Sequence, residues 1–153
     1  GRGTTTPLEL AGAPDIDFER VLGRMTALQP GWLKGCVLRR CYFEPTFHKH
    51  LGKMCSGLQI HTDNAAYGHG HFQPYRLVAL LLIALRLEYP DYPIWRRFPY
   101  EYETERLAID LLSGGAFLRQ WVDDANAVPV DLQERLREDE QVWFEVRAPY
   151  LLY

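Results

Sequence analysis

The strongest constraint on the fold of this 153-residue chain is an apolar run near its middle. Residues 77–87 carry one charged side chain, Arg86, and the run lies between Pro74 and Pro90. Proline is favoured in the first turn of a helix and cannot continue one, so the pattern predicts a helix from Pro74 to about Glu88. We expect this helix at the centre of the core because it is apolar on most sides. The run is much shorter than the roughly 20 residues that cross a bilayer, so we predict no membrane span.

Segments before this helix show helical and then alternating patterns. Apolar residues at helical spacing predict a helix that Asp15 caps and residues 30–31 end. Residues 36–44 are rich in β-branched, aromatic and thiol side chains and predict a strand with Val37, Cys41 and Phe43 on one face. Residues 56–62 alternate, which predicts a second strand with one apolar face and one polar face.

The segments after the central helix are mostly helical in pattern. Residues 103–112, 117–124 and 131–147 predict three helices, the last with a capping arrangement at Asp131 and Glu134. Residues 92–102 are rich in tyrosine and proline, and predict an irregular segment with at most one short edge strand. We therefore predict an α+β fold, in which a small, mostly antiparallel sheet packs against several helices and the C-terminal half is mainly helical.

Composition excludes some classes of function. The net charge is -3 and the isoelectric point is about 6.0, whereas a nucleic-acid-binding domain presents a basic patch, so we predict no nucleic-acid partner. The three cysteines form no CxxC unit, and buried free thiols are their simplest interpretation. Neither a P-loop nor a GxGxxG motif is present, and we predict no cofactor.

The opening segment, residues 1–9, has the composition of ligand surface rather than of core. Arg2 lies between two glycines, and three threonines and Pro7 follow it. Such a segment can form a nest of backbone N–H groups that binds an anion, or its threonines can simply cap a turn. Because no initiator methionine precedes this segment, we expect residue 1 to lie at a domain boundary inside a longer natural chain.

A second polar group combines a loop with the polar face of the second strand. Phe47, Lys49 and His50 lie in the loop at residues 45–53, and Gln59 and His61 follow on the strand. A hairpin-like return would gather an aromatic plane, a cation and hydrogen-bond donors, which suits a sugar or a carboxylated sugar. The alternative is that these are solvated loop residues with no ligand.

Five histidines include two HxH pairs, which raises the possibility of zinc. These residues are His48, His50, His61, His69 and His71. No HExxH motif and no third ligand at a fixed helical spacing accompanies them, so we predict no metal site.

The sequence contains no complete set of catalytic residues. Glycosidic cleavage requires a pair of carboxyl groups on either side of the bond. Glu9, Glu44 and Asp63 lie near the polar groups but show no distinctive spacing, and no GxSxG nucleophile motif is present. Glu9 could be a site carboxylate or could accept a hydrogen bond from the backbone or from an arginine. The residues alone describe a binding face better than an active site.

Four segments together resemble a known family. They are GRGTTTPLE at 1–9, YFEPTFHKHLGKMCSGLQIH at 42–61, PYRLVALLLIALRLEYP at 74–90 and RAPYLLY at 147–153. In this combination they resemble the C-terminal domain of the NamZ-type exo-β-N-acetylmuramidases, bacterial glycoside hydrolases that remove terminal N-acetylmuramic acid from peptidoglycan fragments. The chain departs from the pattern at Leu8, where phenylalanine is usual, and at His48, where a small polar residue is common.

The resemblance implies a two-domain enzyme of which residues 1–153 are the C-terminal, substrate-side domain. A Rossmann-like N-terminal domain would carry the principal catalytic glutamate, the substrate would bind between the domains, and the isolated C-terminal domain would be inactive. The resemblance also implies an exported protein that acts in cell-wall recycling. The alternative is a non-catalytic module that binds cell-wall saccharides.

Eight residues match motif positions of the family and are the expected substrate contacts. They are Arg2, Thr4, Thr5, Phe47, Lys49, His50, Gln59 and His61. Lys49 or Arg2 could bind the lactyl carboxylate of muramic acid through a charge-assisted hydrogen bond. His50 or His61 could act as an auxiliary catalytic group.

Overall fold

The computed structural model describes residues 1–152, so Tyr153 of the closing motif lies outside the described residues. Three strands form one antiparallel sheet in the order β1-β3-β2, with bounds β1 (Leu10–Ala13), β2 (Val37–Phe43) and β3 (Cys55–His61). The described α-helices are α1 (Phe18–Leu28), α2 (Pro74–Glu88), α3 (Ala108–Leu112), α4 (Phe117–Asp123) and α5 (Pro129–Arg147). Short 3-10 turns span Pro30–Leu33 and Ala148–Tyr150. The predicted α+β fold and helical C-terminal half are confirmed.

Helix α2 forms the centre of the core, as its apolar run predicts. Its bounds agree with the prediction, and Leu77, Leu80 and Ile83 are almost completely buried. It packs against α1 on one side and α4 on another, which explains why it is apolar on most sides. No helix in the described part of the chain combines the length and hydropathy that a membrane span requires.

The sheet has one core-facing side and one polar side. Leu58 of β3 is buried, and Ile60 and Leu38 pack against the same core. Gln59 and His61 occupy the other face of β3 and are partly exposed. The predicted hairpin is confirmed, since β2 and β3 pair antiparallel over their full lengths. The predicted alternation of β3 holds for Leu58 and Ile60, which pack in or against the core, but Gly57, predicted on the polar face, is buried.

Strand β1 is absent from the sequence prediction. It is only four residues long and contains no β-branched or aromatic residue, so no local pattern marks it. It forms because β3 has a free edge, where Gly12 lies directly opposite Gly57. A Cβ atom at Gly12 would come within 2.4 Å of the Ser56 carbonyl oxygen, so the two backbones approach closely only with glycine.

Helix boundaries account for three corrections. Asp17, not Asp15, caps α1, because its carboxylate accepts a hydrogen bond from the Glu19 N–H at 2.9 Å. The predicted helix at 103–112 begins only at Ala108, since the Glu103 carboxylate accepts hydrogen bonds from the backbone N–H groups of residues 105 and 106. This local bonding competes with helix formation.

The start of α5 is the third correction. Asp131 lies inside the first turn rather than at the cap, and its carboxylate accepts a hydrogen bond from the Val128 N–H at 3.0 Å. The helix begins at Pro129, which is favoured in a first turn.

Residues 92–102 form no strand, and Tyr100 and Glu103 make only an isolated bridge.

Replacement of Leu80 by alanine tests the central role of α2. We expect Leu80→Ala to lower the free energy of unfolding by about 2–5 kcal/mol, because it leaves a cavity around a fully buried side chain. Val78→Ala is the matched control, since Val78 is 45% exposed on the same helix. Urea titration followed by circular dichroism measures both variants. Equal losses in the two variants would contradict the assignment of α2 to the core.

Candidate functional site

A pocket of about 680 Å³ opens beside β1 and is here called the edge pocket. Helices α1, α2 and α3 provide an apolar floor, and two loops provide a polar and aromatic rim. The floor residues include Phe18, Leu81, Leu85, Ile109 and Leu112. The rim residues include His48, Lys49 and His50 from the β2–β3 loop, and Tyr92, Trp95 and Arg96 from the segment after α2.

Arg86 holds the aromatic rim in place. Its guanidinium donates hydrogen bonds to the carbonyl oxygens of Pro90 at 2.7 Å and Tyr92 at 3.1 Å. Asp123 of α4 accepts from Arg86 Nε at 3.0 Å through one oxygen and from Trp95 Nε1 at 2.7 Å through the other. This network explains the one charged residue in the apolar run, because a half-buried arginine ties the rim to α2 and α4.

The opening segment holds the β2–β3 loop. The Gly3 carbonyl oxygen accepts hydrogen bonds from the Thr46 N–H at 2.9 Å and the Thr46 hydroxyl at 3.1 Å. Gly3 has a φ of 88°, and a Cβ atom there would come within 2.5 Å of the Phe47 carbonyl oxygen. Glycine is therefore required at this contact both for its conformation and for space.

The loop itself is bent sharply around Lys49. His48 and His50 have φ values of 69° and 61°, in the left-handed region that non-glycine residues seldom adopt. Such conformations persist where the surrounding structure over-determines them, and they concentrate at ligand sites. Here the two bends accompany a loop that presents three consecutive side chains, His48, Lys49 and His50, to one pocket.

Contacts between rings and cations connect the opening segment to the segment after α2, which forms part of the rim. Arg2 Nη1 lies 3.4 Å from His48 Nε2. The His48 ring meets Phe98 edge-on at a centroid distance of 6.5 Å, and the Arg96 guanidinium lies 5.2 Å from the Phe98 ring centroid. His48, a departure from the family pattern, is thus the link between Arg2 and the segment that carries Arg96.

The rim of the edge pocket is electropositive. Removal of solvent from the ammonium group, followed by the charge of Arg96, lowers the pKa of Lys49. Removal of solvent, followed by the charges of Lys49, Lys53 and Arg96, lowers the pKa of His50. Both shifts have the sign expected where cations crowd a partly desolvated site. A bound anion would relieve this repulsion, and the lowered pKa of His50 favours the neutral form of its imidazole.

Gln59 and His61 belong to a different surface, which we call the polar sheet face. Gln59 Nε2 donates to Glu9 Oε2 at 3.3 Å, and Gln59 Oε1 accepts from Arg39 Nη2 at 3.0 Å. His61 Nδ1 lies 3.8 Å from an Asp63 carboxylate oxygen. Glu9 therefore accepts a hydrogen bond from the side chain of Gln59, not from the backbone or an arginine as one of the two sequence interpretations had it.

The hairpin separates the two groups that the sequence analysis placed together. The loop meets β3 at Cys55, and Gln59 follows four residues later. A strand rises about 3.3 Å per residue, so Gln59 lies about 13 Å along the strand from the loop and His61 about 20 Å. The structure brings Lys49 and His50 to the edge pocket, joins Arg2 to them through His48, and leaves Gln59 and His61 apart.

The remaining predicted residues do not line the edge pocket. The Thr4 hydroxyl donates to the Gly1 carbonyl oxygen at 2.6 Å, so it caps a turn. Thr5 is exposed, and Phe47 is 58% exposed beside the Gly3 contact. Tyr92 and Trp95, rather than Phe47, supply the aromatic surface of the pocket.

The five histidines are divided among three places. Two line the edge pocket, His61 lies on the polar sheet face, and the other two belong to the loop before α2, where His69 Nδ1 is 3.3 Å from the Tyr67 hydroxyl. Within residues 1–152, no three His, Cys, Asp or Glu side chains gather closely enough to hold a metal ion.

Sequence reasoning missed the contribution of the segment after α2. Tyr92, Trp95 and Arg96 lie in a stretch whose composition predicts only irregular structure. The sequence does contain one indication of a site. Aromatic residues stand beside arginines in a segment that lacks the period of a helix or a strand. Only the tertiary fold shows that this segment faces the β2–β3 loop.

Comparisons with known proteins identify relatives of this chain. The chain matches, over residues 1–153, the family described as exo-beta-N-acetylmuramidase NamZ, C-terminal. It is 26% identical to the peptidoglycan beta-N-acetylmuramidase NamZ of Bacillus subtilis over 153 residues, which are 100% of this chain and 33% of that protein.

A solved structure has the same fold. The crystal structure of a DUF1343 family protein from Bacteroides fragilis superimposes with a TM-score of 0.70 at 17% identity, covering 99% of this chain and 36% of that one. The chain therefore spans about a third of the length of the relatives it matches.

A substitution at Gly3 tests whether the opening segment holds the loop. We expect Gly3→Ala to accelerate hydrogen exchange at the Thr46 amide by about tenfold, because a left-handed non-glycine residue costs roughly 1–2 kcal/mol and the new Cβ meets backbone. Gly70→Ala is the control, since a Cβ there meets no atom within 4 Å. Amide exchange measured by NMR reports both. Unchanged exchange at Thr46 in Gly3→Ala would show that the contact is not needed.

The crowding of cations around His50 can be measured through its titration. We expect Lys49→Met to raise the pKa of His50 toward its ordinary value, because one nearby positive charge is removed while burial remains. Lys34→Met, outside the pocket, should leave the titration unchanged. NMR titration of the imidazole gives both values. An unchanged or lower pKa of His50 in Lys49→Met would exclude their electrostatic coupling.

Proposed function

Because the chain belongs to the family of exo-β-N-acetylmuramidase NamZ C-terminal domains, we propose that it is part of an exo-acting glycoside hydrolase. The full-length enzyme would hydrolyse terminal N-acetylmuramic acid from peptidoglycan fragments. Residues 1–153 would form its substrate-side domain and one wall of an interdomain cleft. The preceding domain would supply the principal catalytic glutamate, and the enzyme would be exported and act in cell-wall recycling.

The edge pocket is the observation that carries this proposal. N-acetylmuramic acid has an apolar ring face and a carboxylate on its lactyl group. The pocket offers the aromatic side chains of Tyr92 and Trp95 beside the cations Lys49 and Arg96. Its volume of about 680 Å³ suits a small ligand. A pocket with an apolar floor and a cationic rim selects a carboxylated sugar over a neutral one.

Lys49 and Arg96 would bind the lactyl carboxylate. Both side chains are cationic, and removal of solvent, followed by the charge of Arg96, lowers the pKa of Lys49. An ionised carboxylate would replace repulsion with charge-assisted hydrogen bonds. Arg2 would support this group indirectly, because its described contact is with His48 rather than with the pocket.

The source of the catalytic carboxylates follows from the pocket lining. Within the described residues, none that line the edge pocket is Asp or Glu, whereas most glycoside hydrolases use two carboxyl groups. The acid or nucleophile must then come from outside this pocket, which is why the isolated domain would be inactive. His50, as a neutral imidazole, would be an auxiliary group that accepts or donates a proton or orients the glutamate.

The other predicted residues would contact more distant parts of the substrate. Gln59 and His61 lie on the polar sheet face, about 13 and 20 Å along β3 from the loop. Thr4, Thr5 and Phe47 flank the opening segment. We propose that these positions contact the portion of the fragment that remains after the terminal sugar is removed.

Kinetics of the full-length enzyme on two substrates test the carboxylate site. We expect Lys49→Met and Arg96→Met each to raise KM for a chromogenic N-acetylmuraminide about 10–100-fold, because each loses a hydrogen bond to a charged group worth about 1.5–3 kcal/mol. The matching N-acetylglucosaminide lacks the lactyl carboxylate, so its weaker hydrolysis should change little. Lys34→Met is the control.

The possible outcomes separate the proposal from its alternative. Equal increases in KM for both substrates would show that Lys49 and Arg96 do not recognise the carboxylate. Binding of muramides by a full-length protein that hydrolyses none would favour a non-catalytic cell-wall saccharide-binding module. The absence of carboxylates from the pocket lining is the feature compatible with that second function.

A further inference from the structure

The first turns of α5 are anchored to the body of the domain. Leu132 is completely buried. Gln133 Oε1 accepts hydrogen bonds from Trp32 Nε1 at 3.3 Å and from Arg76 Nε at 3.2 Å, and Arg76 also forms an ion pair with Glu140 at 2.9 Å. The beginning of the helix therefore has a fixed position and direction.

The C-terminal part of α5 is exposed to solvent, with Glu140 still paired to Arg76. Every described residue from Arg137 onward is exposed, and the helix continues to Arg147, a distance of about 16 Å. A helical segment of this length has little stability without tertiary contacts. This end of the helix therefore requires a partner surface to be well ordered.

One side of the extended part is apolar. Its members are Val142, Trp143, Val146 and Tyr150, which are 60%, 61%, 54% and 82% exposed. We call them the α5 stripe: the i, i+4 spacing places Val142 and Val146 along one side of α5, and Tyr150 lies in the 3-10 turn that follows the helix. Phe144 lies on the other side, where the Arg147 guanidinium is 5.5 Å from its ring centroid. A contiguous exposed apolar surface of this kind is typical of an interaction site.

The stripe is large enough to contribute to an interface. Two aromatic and two valine side chains can remove roughly 500 Å² of apolar surface from solvent, and the apolar share of the ~800 Å² that each partner buries in a standard interface is roughly 450 Å². Such an area fits either a second copy of this chain or a domain of the same polypeptide. A domain in the same polypeptide needs less area, because the covalent tether supplies a high effective concentration.

We propose that the α5 stripe docks against the domain that precedes residue 1 in the same polypeptide. The matching family is C-terminal, and this chain covers 33% and 36% of the lengths of its two relatives, so in them most of the chain lies before this domain. The docked surface would be apolar, with basic residues opposite Glu138 and Glu145. This inference rests on the proposed function only in requiring that a preceding domain exists.

Hydrogen exchange in the full-length polypeptide tests the docking. We expect residues 138–150 to exchange slowly in the wild type and at least about tenfold faster in the double variant Trp143→Ser, Val146→Ser. Phe144→Ser is the matched control, since it removes an equally exposed aromatic from the opposite side of the same helix. Unchanged exchange in α2 will show that the domain core remains folded in each variant.

Several results would overturn the docking. Fast exchange of 138–150 in the wild type, an unchanged rate in the double variant, or a reading frame with no preceding domain would each do so. Protection that rises with protein concentration, with dimers in sedimentation, would identify a second copy as the partner instead. Muramidase activity measured on the same samples separates the two proposals: activity with an unprotected stripe rejects only the docking, and protection without activity rejects only the proposed function.

Discussion

Burial of α2 is the constraint on which the rest of the structure depends. The helix is apolar on most sides, so it must be covered by α1 and α4, and the sheet must close the remaining side of the core. Hydrophobic burial is proportional to area and has no direction, so it determines that α2 lies inside without determining how the loops run. Arg86 fixes the path of the segment that follows the helix, because its guanidinium binds carbonyl oxygens of that segment.

The edge pocket arises where two irregular segments meet above this core. One is held by Arg86 and Asp123, and the other by the contact between Gly3 and Thr46. Neither segment has regular secondary structure near the pocket, so polar contacts rather than a helix or strand fix the rim. The arrangement gathers cations that repel one another in the absence of an anion. Cations gathered in this way create a positive local potential.

The proposed function and the proposed docking rest on two different features of the domain. The pocket has cations and aromatic surface but no lining carboxylate among the described residues, and the stripe has apolar area with no described partner. A single preceding domain would complete both, by supplying a catalytic carboxylate at the pocket and an apolar surface at the helix. These two requirements are physically independent. The catalytic carboxylate would take part in proton transfer, whereas the docked surface would remove apolar area from water.

The sequence by itself determined the elements whose patterns are local and periodic. The bounds of α2, the alternation of β3 and the α+β class all follow from spacing, because burial imposes a period of 3.6 on a helix and 2 on a strand. It also determined that Lys49 and His50 belong to a polar loop. Motif resemblance identified the family, whereas nearness along the chain was the reason to group Gln59 with that loop.

Only the tertiary structure decided which distant segments meet. Strand β1 exists because β3 has a free edge, and Arg96 joins Lys49 because Arg86 turns the chain back over the core. These contacts join residues that are tens of positions apart, so no local period records them. The same reason explains why the Asp17 cap and the late start of α3 escaped prediction. In each case, hydrogen bonds of one side chain decided among several sequence-compatible boundaries.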